Sequence, residues 1–200
     1  MEIKIDNPQK VLMKSLEDAF GLTAYAKTLQ LDKISESEYQ KNFTSYYRVR
    51  RDSEWLKKYY EFMRLKVNSN VTFQEILTEL SSWKHKVKIT DTNPSGYAEA
   101  IEVSFSSKLL ATINTNYPIW DSQVVKALNI DVDIKENDSK AIKINKFVLA
   151  YTTLKTLIEE YINSEDGKKA IKLFDKQFPN YKNISSIKKI DFYLWNIGKN

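Results

Sequence analysis

The sequence predicts an all-α protein of about eight helices, on the basis of three observations. Apolar residues recur every three or four positions along most of the 200-residue chain. Glycine and proline number four each, so few residues suit β-turns. One segment, Val87-Lys88-Ile89-Thr90, alternates like a strand, but no partner strand is evident and a lone strand leaves its backbone unpaired.

In the first part of the chain, capping residues mark the expected helix starts. Helical spacing begins at Pro8 and continues, as one or two helices, to about Leu29. Further helices are expected after a capping box formed by Ser35 and Glu38, after Asp52, and after a second capping box formed by Thr72 and Glu75. The last of these helices is expected to fade into the basic stretch Lys84 to Lys88.

The second part begins after a predicted loop from Asp91 to Gly96. We expect helices from Tyr97 to Ile113, after the cap Asp121, from Ser139 to Asn163, from Lys168 to Phe178, and from Ser185 onward. The expected organisation is a single all-α domain over residues 1–200. This loop divides it into two helical lobes, 1–95 and 96–200, which are expected to meet around Lys108 and Asp121.

Composition excludes several classes of site. The chain has no cysteine, which rules out disulfides, iron–sulfur clusters and cysteine-based zinc sites. A single histidine, His85, argues against a histidine-rich metal site and a serine–histidine–aspartate triad. We therefore expect no metal and no cofactor. No run approaches the ~18 apolar residues of a membrane span, so we expect a cytoplasmic protein without a membrane partner.

The net charge of +5 favours a polyanionic partner such as DNA. Candidate DNA-contacting residues are the basic side chains next to aromatic residues or clustered in sequence, namely Arg48, Arg50, Arg51, Lys84 and Lys86. Two alternatives stay open. A lysine-rich composition also follows from an AT-rich genome, and on an amphipathic helix the basic residues simply face water while the aromatic residues face the core.

The most informative segment contains a lysine helix, a proline turn and an aspartate at a helix start. It reads Ser106-Ser107-Lys108-Leu109-Leu110-Ala111-Thr112-Ile113-Asn114, followed by Tyr117-Pro118-Ile119-Trp120-Asp121-Ser122-Gln123-Val124. This segment resembles the catalytic segment of the helix-hairpin-helix DNA glycosylase superfamily, which includes 8-oxoguanine and endonuclease III-like enzymes. Lys108 matches the family's catalytic lysine. Asp121 matches its aspartate, in Asp-Ser-Gln-Val where the family often has Asp-Thr-His-Val.

The resemblance implies a specific chemistry for these residues. A partly neutral lysine amine attacks the sugar C1′ and forms a Schiff base, and a carboxylate at a helix start stabilises the cationic sugar. The target base first leaves the stack and enters a pocket, which places Trp120 near that pocket. The expected ligand is DNA, or a nucleotide-like molecule, in a cleft between the lobes.

The segment also departs from the family. The glycine-rich hairpin that binds phosphate before the lysine is missing, with only Gly96 nearby, and the resemblance covers only about Gly96 to Ile130. We therefore expect DNA binding to be retained more readily than catalysis. The plainer interpretations are a simple helix cap for Asp121, a surface lysine for Lys108 and a core anchor for Trp120. The alternative functions are a non-enzymatic protein–protein interaction module, of a regulatory or phage-defence kind, and a small-molecule sensor.

Overall fold

The computed structural model describes residues 2–14 and 19–199, and it confirms the all-α fold class. These residues form ten α-helices and one short β-hairpin. Their bounds are α1 Pro8–Lys14, α2 Ala19–Thr28, α3 Ser37–Tyr47, α4 Ser53–Lys66, α5 Phe73–Ser81, β1 Lys84–Lys86, β2 Tyr97–Glu99, α6 Val103–Ile113, α7 Ser122–Ala127, α8 Lys140–Asn163, α9 Glu165–Gln177 and α10 Ser186–Gly198. Residues 15–18, inside the first predicted helical region, lie outside the described residues. No described helix combines the length and apolar character needed to cross a bilayer.

Side-chain caps determine where several helices begin. Thr72 and Glu75 form the predicted capping box, in which the Glu75 amide donates to Thr72 Oγ1 at 3.2 Å and the Thr72 amide donates to Glu75 Oε2 at 2.7 Å. Asp52 caps α4 as predicted. The box expected from Ser35 and Glu38 is wrong, because α3 begins at Ser37 and its N-cap residue makes no side-chain bond.

The expectation of no strand is also wrong. Strand β1 occupies Lys84–Lys86, where the end of a helix was expected, and it forms an antiparallel hairpin with β2, while residues 87–90 lie outside both strands. Lys84 pairs with Glu99 and Lys86 pairs with Tyr97. Tyr97 therefore begins a strand instead of a helix, and α6 starts only at Val103. Strands of three residues are too short to show alternation in the sequence, which explains why the partner was missed. The predicted lobe boundary at residues 95 and 96 falls in the loop of this hairpin, directly before β2.

One contiguous apolar core extends from Ile3 near the N-terminus to Leu194 in α10. Helix α10 lies at its centre and packs closely on α7: an ideal Cβ built on Gly198 would lie 2.0 Å from the backbone oxygen of Gln123. The long helix α8 packs against α5, α9 and α10.

Buried tyrosines connect separate parts of this core through their hydroxyl groups. Five of them donate to backbone carbonyls, in the pairs Tyr39 to Thr28, Tyr59 to Phe105, Tyr60 to Gln40, Tyr151 to Pro118 and Tyr193 to Ala170. Each bond satisfies a phenol hydroxyl that would otherwise be costly to bury, and the bond from Tyr151 also satisfies the carbonyl of Pro118, which lies outside the helices. Much of the aromatic richness of the chain therefore serves the packing and hydrogen bonding of the core.

Candidate functional site

Lys108 lies in the interior, on a helix that is buried over most of its length. Only 7% of its surface is exposed. Its ammonium nitrogen donates to the backbone carbonyl of Tyr47 at 3.0 Å. Tyr47 is the last residue of α3, and the carbonyl end of a helix carries partial negative charge. The amine from α6 therefore caps the end of α3.

The surroundings of Lys108 disfavour its charged form. Burial lowers the pKa of the Lys108 amine below its usual value, the negative charge of Asp121 opposes this shift, and the positive charge of Lys188 adds to it. An amine of lowered pKa is more often neutral at a given pH, and the neutral form is the nucleophile.

Asp121 performs the capping role predicted for it. Its Oδ1 accepts a hydrogen bond of 2.9 Å from the amide of Gln123 at the start of α7. The adjacent backbone is tied to the lysine helix, because the amide of Trp120 donates to Ser107 Oγ at 2.9 Å. The fold therefore brings Lys108 and Asp121 close enough for their charges to interact.

A second pair of charges on α10 lies beside the first. The Lys188 ammonium and Asp191 Oδ2 are 3.0 Å apart, and their side chains are only 12% and 5% exposed. The Lys188 ammonium also faces the rings of Tyr25 and Tyr46, at 4.9 Å and 5.7 Å from their centroids. Burial raises the pKa of Asp191, while the Lys188 charge opposes that shift.

We call Lys108, Asp121, Lys188 and Asp191 the charged cluster. It contains two ammonium groups and two carboxylates, and charge coupling links members of both pairs. Burial also raises the pKa of the neighbouring Tyr25 phenol to about 12, so this group is protonated at neutral pH. The sequence places Lys188 and Asp191 beside the apolar face of the last helix, but a spacing of three residues between opposite charges is also typical of solvent-exposed pairs.

The predicted DNA-contacting arginines occupy different environments. Arg51 is half-buried, and its Nη2 donates to both carboxylate oxygens of Glu102, at 2.8 Å and 2.9 Å. Its guanidinium also lies 4.8 Å from the ring centroid of Phe105. Arg51 therefore supports the fold, in contrast to the exposed side chains of Arg48 and Arg50.

The other predicted contact residues also separate into exposed and packed groups. Lys84 and Lys86 are exposed on the hairpin. Trp120 is half-buried, and its ring meets that of Phe147 edge-on at 6.0 Å, which is a packing contact. His85 is half-buried, and its Nδ1 lies 4.0 Å from Glu102 Oε1. Within residues 2–14 and 19–199, no group of three or more histidine or acidic side chains is arranged to hold a metal ion.

No family model, no curated protein and no solved structure matches the chain. The resemblance to the DNA glycosylases stays a prediction from the sequence, and the function has to be argued from the charged cluster.

Proposed function

We propose that the chain is a DNA glycosylase-like protein that binds DNA and receives one extruded nucleotide beside Lys108 and Asp121. The observation that carries this proposal is geometric: Lys108 lies in the interior on α6, and Asp121 caps α7 directly after Trp120, whose amide is bonded to Ser107 Oγ beside Lys108. The lowered pKa of the Lys108 amine, caused by burial, supports it. Glycosidic chemistry needs these two groups at one position. With DNA as the ligand, the expected location is the cytoplasm.

The reaction that this pair supports is a displacement at the sugar. The lone pair of the neutral Lys108 amine forms a bond to C1′, and the bond from C1′ to the base breaks with its electron pair leaving on the base. The amine loses one proton and the departing base gains one, so the step is balanced. The negative charge of Asp121 stabilises the positive charge that develops on the sugar.

Entry of a nucleotide requires a local rearrangement. Lys108 is nearly inaccessible and its amine is bonded to the carbonyl of Tyr47. The extruded nucleotide therefore has to separate the end of α3 from α6 and replace this bond. Extruded bases enter enclosed pockets, and enzymes commonly open and close segments around a ligand, so this rearrangement is part of the proposal.

The experiment is incubation with duplexes that carry a panel of damaged bases, with and without borohydride. We expect base release or a trapped protein–DNA adduct with the native chain, and neither product with Lys108→Gln. Lys176→Gln is the matched control, because Lys176 is an exposed lysine at the end of α9. The absence of base release, adduct and salt-sensitive DNA binding would refute the proposal.

A second candidate is a non-enzymatic interaction module. The bond from Lys108 to Tyr47 favours it, since this bond gives the amine a structural role without any reaction. Helix α8 also exposes Ile142 and Leu149, two turns apart on one face. A stable dimer that is lost on Leu149→Lys, together with no affinity for DNA, would support this function over the first.

A further inference from the structure

The hairpin directly before the lysine helix has two unlike faces. Its ladder continues beyond β1, because the amide of Val87 donates to the carbonyl of Gly96 at 2.9 Å. Side chains alternate between the faces of a strand. The half-buried residues His85, Val87 and Ala98 point toward the body of the protein. We call the other side the hairpin outer face. It consists of Lys84, Lys86, Lys88, Tyr97 and Glu99, all of them exposed, with Glu99 directly opposite Lys84.

The hairpin outer face is held in place from both strands. The amide of Lys86 donates to the Asp52 carboxylate at 2.9 Å, which ties β1 to the start of α4. On β2, the Glu99 carboxylate accepts from the ammonium of Lys140 at 2.7 Å, which ties the hairpin to α8. These bonds fix the orientation of the face relative to the helices.

The lysines of this face form no close ion pair, although Glu99 lies directly opposite Lys84 and the charge of Lys86 acts on Asp52. Across the described residues, none of Lys84, Lys86 and Lys88 takes part in an ion pair. The acidic residues of the hairpin are Glu99, which is paired with Lys140, and Asp91 near the tip. Three ammonium groups on alternate residues of one strand are complementary to a regularly charged polyanion.

Exposed apolar surface accompanies the charge. Tyr97, directly opposite Lys86, is 43% exposed, and Ile89 is 68% exposed. The Ile89 side chain lies against Gly96, since a Cβ built on that glycine would be 2.9 Å from Ile89 Cγ1. An exposed ring beside ammonium groups is the arrangement by which proteins bind unpaired nucleic acid strands, with phosphates on the cations and a base on the ring.

We propose that the hairpin outer face binds an unpaired DNA strand, with Lys84, Lys86 and Lys88 contacting phosphates and Tyr97 stacking on a base. This inference rests on the proposed function for the choice of DNA, and it adds the strand state and the contact surface. An unpaired strand fits better than a duplex because the Tyr97 ring needs a base that is free of its partner. The face leads through residues 100–102 into α6, so a strand bound there lies next to the helix that carries Lys108.

The test is fluorescence anisotropy with labelled single-stranded and duplex oligonucleotides over a range of salt concentrations. The variant Lys84→Gln/Lys86→Gln/Lys88→Gln is expected to bind single strands at least about tenfold more weakly, with a salt slope reduced by roughly 2, since each phosphate contact contributes about 0.7. The matched control is Lys168→Gln/Lys169→Gln/Lys172→Gln on α9, which removes the same charge from three exposed lysines and is expected to leave affinity within about twofold. Thermal melting verifies that each variant is folded.

Tyr97 provides a second, independent arm. Tyr97→Ala is expected to weaken single-strand binding by about five- to 100-fold, and Tyr97→Phe is expected to restore it, because stacking requires only the ring. A Tyr97→Ala variant with native affinity, or equal losses in the two triple-lysine variants, would overturn the inference. If either of these results is found while the native chain still forms a DNA adduct through Lys108, the inference about the hairpin is refuted and the proposed function is not. If the native chain binds no DNA, both proposals fail.

Discussion

Lys188 and Asp191 lie one turn apart on α10 and form an ion pair of 3.0 Å in the interior, with the ammonium facing two tyrosine rings. Breaking such a pair leaves one charge buried without a partner. We expect Asp191→Ala to lower the free energy of unfolding by about 3–5 kcal/mol, and Lys188→Met/Asp191→Leu to lower it far less. Urea denaturation followed by circular dichroism measures both. Glu165→Ala, which breaks an exposed pair on α9, is the control and should leave the midpoint unchanged. An Asp191→Ala midpoint equal to the control would contradict the prediction.

Arg51 and Glu102 give a prediction with a pH dependence. Burial raises the pKa of Glu102, and the hydrogen bonds and charge of Arg51 oppose that shift. Arg51→Met should therefore raise this pKa further and destabilise the fold by about 3–5 kcal/mol at pH 7. At a pH above the usual carboxyl pKa, Glu102 of the variant is then protonated in the folded state and ionised in the unfolded state. The free energy of unfolding of the variant therefore increases as the pH falls toward that value. Arg50→Met, at an exposed neighbour, should show neither effect in denaturation at pH 5 and pH 7.

The lowered pKa of Lys108 predicts the opposite slope. The folded protein releases this proton at a lower pH than the unfolded chain does, so the unfolded state binds more protons in the pH range just below the usual lysine pKa of 10.5. The contribution of Lys108 to stability therefore increases as the pH rises toward that value. Urea denaturation between pH 7 and pH 10 measures this contribution. The free energy of unfolding of the native chain should increase relative to that of Lys108→Met as the pH rises. Lys176→Met should give a constant difference, and a constant difference for Lys108→Met would refute the assignment.

Asp121 allows its charge to be separated from its capping role. Asparagine caps a helix about as well as aspartate, whereas alanine does not, so Asp121→Asn should keep native stability and Asp121→Ala should lose about 1 kcal/mol. If the charge matters for the proposed reaction, both variants should reduce the rate of adduct formation at least about tenfold. A fully active Asp121→Asn would reduce the role of Asp121 to capping.

Two glycines on helices provide a matched pair for packing. A Cβ at Gly198 would lie 2.0 Å from the Gln123 oxygen, while one at Gly21 would meet nothing within 4 Å. Gly198→Ala should separate α10 from α7 and cost about 1–3 kcal/mol or more. Gly21→Ala should instead stabilise α2 by about 0.5–1 kcal/mol, because alanine is the better helix former. Thermal melting should show a lower melting temperature for Gly198→Ala and a higher one for Gly21→Ala. Equal changes in melting temperature would contradict the close approach of α10 to α7.

Sequence reasoning succeeded where the determinant was local. The caps at Asp52, at Thr72 with Glu75, and at Asp121 each depend on residues within one turn of a helix, and all three form as predicted. The capping box predicted from Ser35 and Glu38 does not form. Leu31–Lys33 form a 3-10 helix, and α3 begins only at Ser37, after Ser35.

Features that depend on residues distant in the chain could not be predicted from the sequence. The hairpin requires two strands of three residues to find each other across a turn, and neither is long enough to show a period. The environment of Lys108 depends on Tyr47, which lies on a helix far away in sequence. The residues Lys108 and Asp121 were predicted from a resemblance, whereas their burial and mutual charge effect follow only from the packing of α6 and α7.

The tyrosine hydroxyls that donate to backbone carbonyls have a consequence for how this sequence can change. Purely apolar contacts let one helix slide along another by small steps, while a bond from a ring to a particular carbonyl fixes their relative translation. Replacing Tyr59 or Tyr151 by phenylalanine keeps the ring but removes the hydroxyl bond to a distant segment, and at Tyr151 it also leaves the Pro118 carbonyl without this donor. At these positions tyrosine and phenylalanine are not interchangeable, although they are similar in size. A single hydroxyl group therefore restricts which residues the core accepts there.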